Sequence, residues 1–342
     1  MSESDSKIVL VTGGAGFIGS NFIHYLLNRY PNYKIINFDK LTYAGNLNNL
    51  SSIEGNLHYV FVKGDVANKV DVKNVFEAFS PDFVVHFAAE SHVDRSILNP
   101  DIFLQTNILG TQNMLQYSME YGVERFIHIS TDEVYGSLDS VSYSREDDAI
   151  TPNNPYAASK ASSDLLVRVA FRTHGFNTGI IRSCNNYGAY QYPEKLIPVI
   201  VNNAINNKSI PVFGNGMNIR NWIHVSDNCR AIDLVLHKGT PGEVYNVGTN
   251  NEWGNLDLVK YILQSLEKSE ELITFVDDRK GHDKRYAVDF SKLENELNWT
   301  PQVEFKDGLK QTINWYLNHQ EWVDDITTGV YTEYYNNHYR KS

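Results

Sequence analysis

The chain has 342 residues, with 30 Lys and Arg against 41 Asp and Glu and a formal net charge of −11. That balance excludes a surface built to coat nucleic acid or to hold anionic membranes, both of which need clustered Lys and Arg. The length suits about two domains with sizeable cores.

No apolar run nears the roughly 20 residues of a spanning helix. Residues 1–6 are polar and carry Glu3 and Asp5, unlike a secretory leader, so a cytoplasmic location is expected. Cys184 and Cys229 show no CxxC spacing and are expected to be inert thiols rather than a disulfide. The 11 His form no HExxH and no paired His/Cys spacing, so no metal is expected.

In chain order, Lys7-Ile8-Val9-Leu10-Val11 reads as a strand covered on both faces. Ile18, Phe22 and Leu26 recur at four-residue steps beside Ile23 and Leu27, which predicts a helix that ends at Pro31. Further strands are expected at 34–38, 57–62, 83–87, 125–129 and 178–181, and helices at 70–79, 102–121 and 155–174. The repeated spacing implies an α/β fold, a doubly wound parallel sheet of Rossmann type with right-handed crossovers. After about Arg182 the pattern loosens. Residues 185–193 read as a long loop rich in Asn, Gly, Tyr and Pro. Helices at 195–207, 226–237, 256–266 and 305–318 follow, with short strands near Val212, Ile223 and Tyr245. The expected division is a dinucleotide-binding domain over 1–182, with part of 220–250 packed back onto it, and a smaller, mainly substrate-binding α+β domain over 183–342. The aromatic stretch 331–339 is expected to be a docked or frayed tail.

Between the first strand and the first helix stands Thr12-Gly13-Gly14-Ala15-Gly16-Phe17-Ile18-Gly19. Gly13, Gly16 and Gly19 provide a turn without Cβ atoms, where backbone and a helix N-terminus can approach a pyrophosphate. Asp39 ends the second strand 20 residues after Gly19, as expected of a partner for free ribose hydroxyls. A 2′-phosphate would be repelled there, so NAD is favoured over NADP. Asp65-Val66 and Phe87-Ala88-Ala89 end the third and fourth strands, where ligands of such sheets bind.

The fifth strand leads into Ser130-Thr131-Asp132-Glu133-Val134-Tyr135-Gly136. Downstream, Tyr156 and Lys160 are four residues apart on one helix face. An ammonium near a phenol favours phenolate, so Tyr156 is expected to have a lowered pKa and to act as a base toward an alcohol.

These residues resemble the extended short-chain dehydrogenase/reductase superfamily and, within it, the dTDP-glucose 4,6-dehydratases. The resemblance runs almost end to end. It includes residues 39–46, 88–96, Thr106-Asn107, Gly110-Thr111, Asn185-Asn186-Tyr187-Gly188, Pro193-Glu194-Lys195-Leu196-Ile197-Pro198, Gly281-His282-Asp283 and Arg285-Tyr286. The Thr131-Asp132-Glu133 triplet and the 193–198 block are its most specific parts. The resemblance implies a tightly bound NAD regenerated each turnover, a dTDP-glucose substrate, service in deoxysugar synthesis of the rhamnose type, and a homodimer formed through the 102–121 and 155–174 helices. It implies that Tyr156 takes the proton of the sugar 4-hydroxyl, Glu133 that of carbon 5, that Asp132 protonates the departing 6-hydroxyl, and that Thr131 bonds the reacting oxygen. Further cofactor contacts are implied for Phe17, Ile18, Lys40, Leu41, Thr42, Ser91, Thr106 and Asn186. Substrate contacts are implied for Ser91, Asn185, Lys195, Leu196, Pro211, Val212, Phe213, Arg220, Asn255, Asp278, Arg279 and His282. Arg220 and Arg279 are the candidate diphosphate readers, because guanidinium binds phosphate in two-pronged fashion.

Ala189, Asn221 and Lys280 depart from the family's usual Pro, Asp and Pro, which bears on nucleotide preference. The alternative is another nucleotide-sugar epimerase, decarboxylase or dehydratase of the superfamily. An epimerase has no need of the adjacent carboxyl pair.

Overall fold

The computed structural model describes residues 6–327; the expected tail at 331–339 lies outside them. The first half alternates strands β1 (Ile8–Thr12), β2 (Lys34–Asp39), β3 (Tyr59–Lys63), β4 (Phe83–His86), β5 (Arg125–Thr131) and β6 (Thr178–Ser183) with helices α1 (Phe17–Arg29), α2 (Lys69–Phe79), α3 (Val93–Leu98), α4 (Pro100–Phe103), α5 (Gly110–Glu120) and α6 (Pro155–His174). The second half holds β7 (Asn185–Tyr187), β8 (Ile210–Phe213), β9 (Ile219–His224), β10 (Val244–Val247), β11 (Glu252–Gly254) and β12 (Ile273–Val276). Its helices are α7 (Leu196–Ile205), α8 (Val225–Lys238), α9 (Asn255–Ser265), α10 (Ser291–Leu297), α11 (Phe305–Asn318) and α12 (Gln320–Ile326).

Seven strands form the main sheet in the order β10-β6-β5-β4-β1-β2-β3. Every neighbouring pair is parallel. The unbroken apolar run in β1 has a direct cause. Val9 and Val11 join one core with Phe22 and Ile23 of α1 and Ile232 and Val235 of α8. Leu10, pointing the other way, joins a second core with Val75 and Phe76 of α2 and Met114 of α5. Both faces are covered, so alternation is absent. The strand order reverses between β1 and β4, and that crevice at the carboxyl ends is where such sheets bind ligands. A third core, with Ile200 of α7, Leu258 and Ile262 of α9 and Leu309 of α11, belongs to the second half. Of that half, β10 and α8 complete the main sheet and its cover.

Three local expectations are corrected. The 102–121 helix is interrupted: residues Leu104–Leu109 widen into a π turn between α4 and α5. Turns of this kind mark functional segments. Here the turn carries Asn107, whose side chain accepts from the Glu90 N–H at 2.8 Å and donates to Glu90 O at 3.0 Å and Ser159 Oγ at 2.8 Å. It thus ties the end of β4 to α6. The loop expected at 185–193 begins as strand β7, because Asn185–Tyr187 pair with Trp222–His224 of β9. Finally, β5 runs to Thr131, two residues past the expected end, so Thr131 is held by sheet pairing with Ser183.

Among the described residues, no helix is long and apolar enough to cross a membrane. Cys184 and Cys229 are both buried free thiols.

Candidate active site

The glycine turn forms the floor of a cleft over the β1–β4 switch point. Gly13 has φ of +68°, and a Cβ there would stand 2.7 Å from Ala88 N, so only glycine fits. The helix that follows begins at Gly16 with no side-chain cap, whereas α2 and α6 are capped by Asn68 and Asn154. The free N–H groups at the start of α1 are therefore available to an anion. Asp39 is buried; its oxygens accept the N–H groups of Ala15 at 2.9 Å and Leu41 at 2.8 Å. Lys40 pairs with Asp65 at 2.7 Å across the same rim. The expected cofactor residues line this cleft with one exception. Leu41 does not line it; with φ of +57° its N–H holds the Asp39 carboxylate, so it acts on the site through Asp39. Two buried polar atoms on the cleft walls, Ser130 Oγ and Gln191 Oε1, lack a hydrogen-bond partner among the described residues. An uncapped helix start, a turn closed to any Cβ, a carboxylate at the second strand and unmatched polar atoms all fit a dinucleotide with unphosphorylated ribose.

Farther along the cleft, Thr131, Glu133, Tyr156 and Lys160 line the wall. A second cleft adjoins it, lined by Leu196, Pro211, Val212, Phe213, Arg220, Asn255, Arg279 and His282. Ser91, Glu133, Asn185 and Lys195 belong to both. Glu133 is therefore at the junction.

The two adjacent carboxyls sit in different surroundings. Asp132 is buried one layer behind the wall, and its Oδ1 accepts from Thr131 Oγ1 at 3.3 Å. Its Oδ2 has no partner among the described residues. Burial, then the Glu133 charge, push Asp132 up to about 8, so it carries a proton at neutral pH. Burial also raises Glu133, but Arg220, Lys195, an Asn154 hydrogen bond and Arg279 pull it back. The Tyr286 hydroxyl donates to Asp283 Oδ2 at 2.5 Å, with Glu133 Oε2 at the outer limit of its reach, 3.5 Å away. Both carboxyls are raised by burial, but Glu133 alone is faced by three cations, Arg220, Lys195 and Arg279, which favours Asp132 as the acid and Glu133 as the base.

The expected lowering of Tyr156 by Lys160 is not what the protein's own groups produce. Burial, with the Glu133 charge next, holds the phenol above its ordinary range, while a Thr131 hydrogen bond lowers it. Lys160 Nζ donates to Ile129 O at 2.7 Å and faces His128 Nε2 at 3.3 Å.

In the second cleft Arg220 is buried with its guanidinium 4.4 Å above the Tyr286 ring. It donates to Ile219 O at 2.8 Å and Asp283 O at 3.0 Å. Backbone carbonyls thus fix its fork, which also counters both carboxyls. Arg279 lies 4.4 Å from the Phe213 ring centre and 3.5 Å from Asp94. Lys195 donates to Ser91 O at 2.9 Å. Asp278 does not line the cleft; its Oδ1 accepts the Arg279 N–H at 2.9 Å and meets His282 Nδ1 at 2.6 Å, so it shapes the loop.

Sequence reasoning assigned no role to Gln191, Glu194, Asn154 or Tyr286, all of which line a cleft. Glu194 and Tyr286 lie inside recognised motifs, a usable signal; Gln191 and Asn154 carried none. Of the unusual positions, Asn221 is buried and exchanges hydrogen bonds with the Thr249 backbone at 2.6 and 3.0 Å, and Lys280 is exposed.

Comparison with known proteins agrees with this geometry. The family model for GDP-mannose 4,6 dehydratase matches residues 10–312. A dTDP-glucose 4,6-dehydratase of Escherichia coli is 47% identical, covering 94% of this chain and 97% of that protein. One from Xanthomonas campestris is 45% identical over 94% and 96%. The crystal structure of a dTDP-glucose 4,6-dehydratase from Bacillus anthracis in complex with NAD superposes with a TM-score of 0.88 at 45% identity, covering 94% of this chain and 99% of that one. A UDP-glucose 4-epimerase from Thermotoga maritima reaches 0.85 at 28% identity, covering 92% and 99%. The chain belongs to the GDP-mannose 4,6 dehydratase family and, within it, to the dTDP-glucose 4,6-dehydratases.

Proposed function

We propose that the chain converts dTDP-glucose to dTDP-4-keto-6-deoxyglucose and water, as an NAD-dependent hydro-lyase. The observation that carries this reading is Glu133, a countered base at the junction of the two clefts, with the protonated Asp132 buried next to it behind the wall. Gly13, residues 16–19, Asp39, Lys40, Thr42 and residues 65–66 and 87–89 hold NAD, with Thr106 and Asn186 nearer its reactive end. When bound, NAD would supply the hydride acceptor for carbon 4 and, in its reduced form, the hydride donor for carbon 6.

The chain's own groups move the protons. Tyr156, oriented by Thr131, takes the proton of the 4-hydroxyl, the positive charge of a bound oxidised nicotinamide being what would offset the rise that burial and Glu133 impose on the phenol. The ketone formed acidifies carbon 5, and Glu133 takes that proton. Asp132 gives its proton to the departing 6-hydroxyl, which leaves as water. Glu133 then reprotonates carbon 5. One turnover so leaves Tyr156 with a proton to shed and Asp132 with one to regain. Arg220, Arg279 and Lys195 hold the diphosphate, and Phe213 packs on the pyrimidine.

The test is the mass of the product from dTDP-glucose. Loss of one water with no net reduced cofactor is expected; dTDP-galactose as sole product would refute the reading and favour an epimerase. Panels of UDP-, GDP- and CDP-sugars test the nucleotide preference.

We also place the cofactor unit at 1–182 together with part of 220–250, and the substrate unit in the remainder of 183–342. A homodimer through the Pro100–Glu120 region and α6 is supported by Leu104, Leu109, Leu165 and Val169, all about half exposed on those helices. Sedimentation of Leu165→Glu as a monomer would bear it out. A cytoplasmic location is consistent with the two free thiols.

A further inference from the structure

Behind Tyr156 and Lys160 lies a closed polar layer that the scheme above does not use. Lys160 is 3% exposed, and its ammonium faces into the protein toward Ile129 O and His128 Nε2. His128, wholly buried on β5, presents the same Nε2 to Asp164 Oδ1 at 3.6 Å. Asp164 follows Lys160 by four residues on α6, one turn along the same face. Its other oxygen accepts from Arg182 Nε of β6 at 2.9 Å. Arg182 Nη1 donates to Tyr135 Oη at 2.8 Å, and Tyr135 Oη donates to Asn246 Oδ1 at 2.8 Å. The carboxylate is thus fixed from behind.

His86 of β4 closes the layer without adding charge. The Thr111 hydroxyl donates to Asn107 O at 2.6 Å, so His86 Nε2 must donate to Thr111 Oγ1 at 3.0 Å. His86 Nδ1 is left to accept from Thr12 Oγ1 at 2.7 Å, which makes the ring neutral. His128 is also neutral, since burial and the Lys160 charge hold it well below its ordinary range. With the ammonium as donor, Nε2 accepts and the ring proton sits on Nδ1; Asp164 Oδ1, without a hydrogen-bond partner among the described residues, acts on Lys160 by charge alone. Lys160 itself is drawn down to about 8 by burial, and Asp164 opposes that fall. Other charged or titratable groups near this layer are Arg182, Tyr135 and Glu146 on its far side and Tyr156, Asp132 and Glu133 toward the cleft.

We propose that Asp164 and His128 are positioning residues for the oxidation step: Asp164 supplies the negative charge that keeps Lys160 an ammonium ion inside the wall, and His128 Nε2 fixes where that ammonium points. The proposal rests on the reading of Tyr156 and Lys160 as the oxidation pair.

The test uses the NAD-loaded enzyme and the variants Asp164→Asn, His128→Leu and His128→Gln. The first readout is the titration of Lys160 by NMR of 13C-labelled lysine, assigned by its loss in Lys160→Met. Asp164→Asn should move that titration to lower pH by about one unit or more. The alkaline limb of reduced-cofactor formation in the first turnover should move by a similar amount. His128→Leu should lower the oxidation rate about tenfold with KM within about twofold, and His128→Gln, whose Oε1 can accept from Lys160, should restore most of it. Should Asp164→Asn fail to fold because Arg182 is left unpaired, the double variant Asp164→Asn/Arg182→Met removes both charges and should shift Lys160 in the same direction. An unshifted Lys160 titration in a folded Asp164 variant, or equal rates for His128→Leu and His128→Gln, would overturn the proposal. The titration needs no substrate, so it fails independently of the dehydratase reading, which the product mass decides.

Discussion

The cofactor cleft is floored by backbone and small side chains at the ends of adjacent strands, while the substrate cleft carries long charged side chains from segments far apart in sequence. Gly13, Ala88 and the uncapped start of α1 belong to the first. Arg220, Arg279, Lys195 and Tyr286 belong to the second and are held by carbonyls and rings of other loops. The first cleft is a property of the sheet and is hard to alter without damage to the fold. The second is a set of separable contacts, so single substitutions should tune it. At the junction Glu133 touches both, and there a change should stop the reaction without emptying either cleft.

The largest effect is therefore expected at the junction. Glu133→Gln should lower dehydration by about 10²–10⁴-fold while the first-turnover absorbance of reduced cofactor still appears. Uptake of solvent deuterium at carbon 5 should vanish, and its persistence would remove Glu133 from the role of base. Next comes the floor of the first cleft. Gly13→Ala puts a Cβ 2.7 Å from Ala88 N at a positive φ, and should leave the purified enzyme with about a tenth or less of its NAD and about 1–3 kcal/mol less stable. Full cofactor occupancy would break the contrast drawn above. In the second cleft, Arg279→Ala should raise KM for dTDP-glucose about tenfold with little change in kcat, the size of one charge-assisted contact. An equal fall in kcat would mean that Arg279 acts on the reaction itself.

The smallest effect concerns Asp132 and pH. In the folded protein its pKa is pushed up to about 8, far above the ordinary carboxyl value of 3.8. The folded state thus binds the proton more tightly than the unfolded chain, and this contribution is lost as pH rises from 3.8 toward about 8. Elimination should fall as pH passes about 8, because the acid loses its proton. Asp132→Asn, inactive in elimination, should melt about 2 °C or more above the parent at pH 8 and match it near pH 4. A parent that gains stability from pH 5 to 8 relative to the variant would show that Asp132 is held as a carboxylate.

Much of the cofactor cleft was legible because its determinants are contiguous. Thr12–Gly19 is one turn, Asp39 ends the next strand, and Tyr156 with Lys160 is a single helical step; local spacing is enough to place such groups together. The fold followed from the same locality, since apolar runs such as Val9–Val11 need cover on both faces. Tertiary structure decided what depends on burial and on partners distant in the chain. The separation of Asp132 from Glu133 comes from depth and from Arg220 and Arg279, both more than 80 residues away. The π turn that presents Asn107, the pairing of Asn185–Tyr187 with β9, and the turn of Lys160 toward His128 and Asp164 likewise have no local code. Sequence spacing determines which groups share an element; which of them lose water, and what charge then faces them, is settled only when the elements pack.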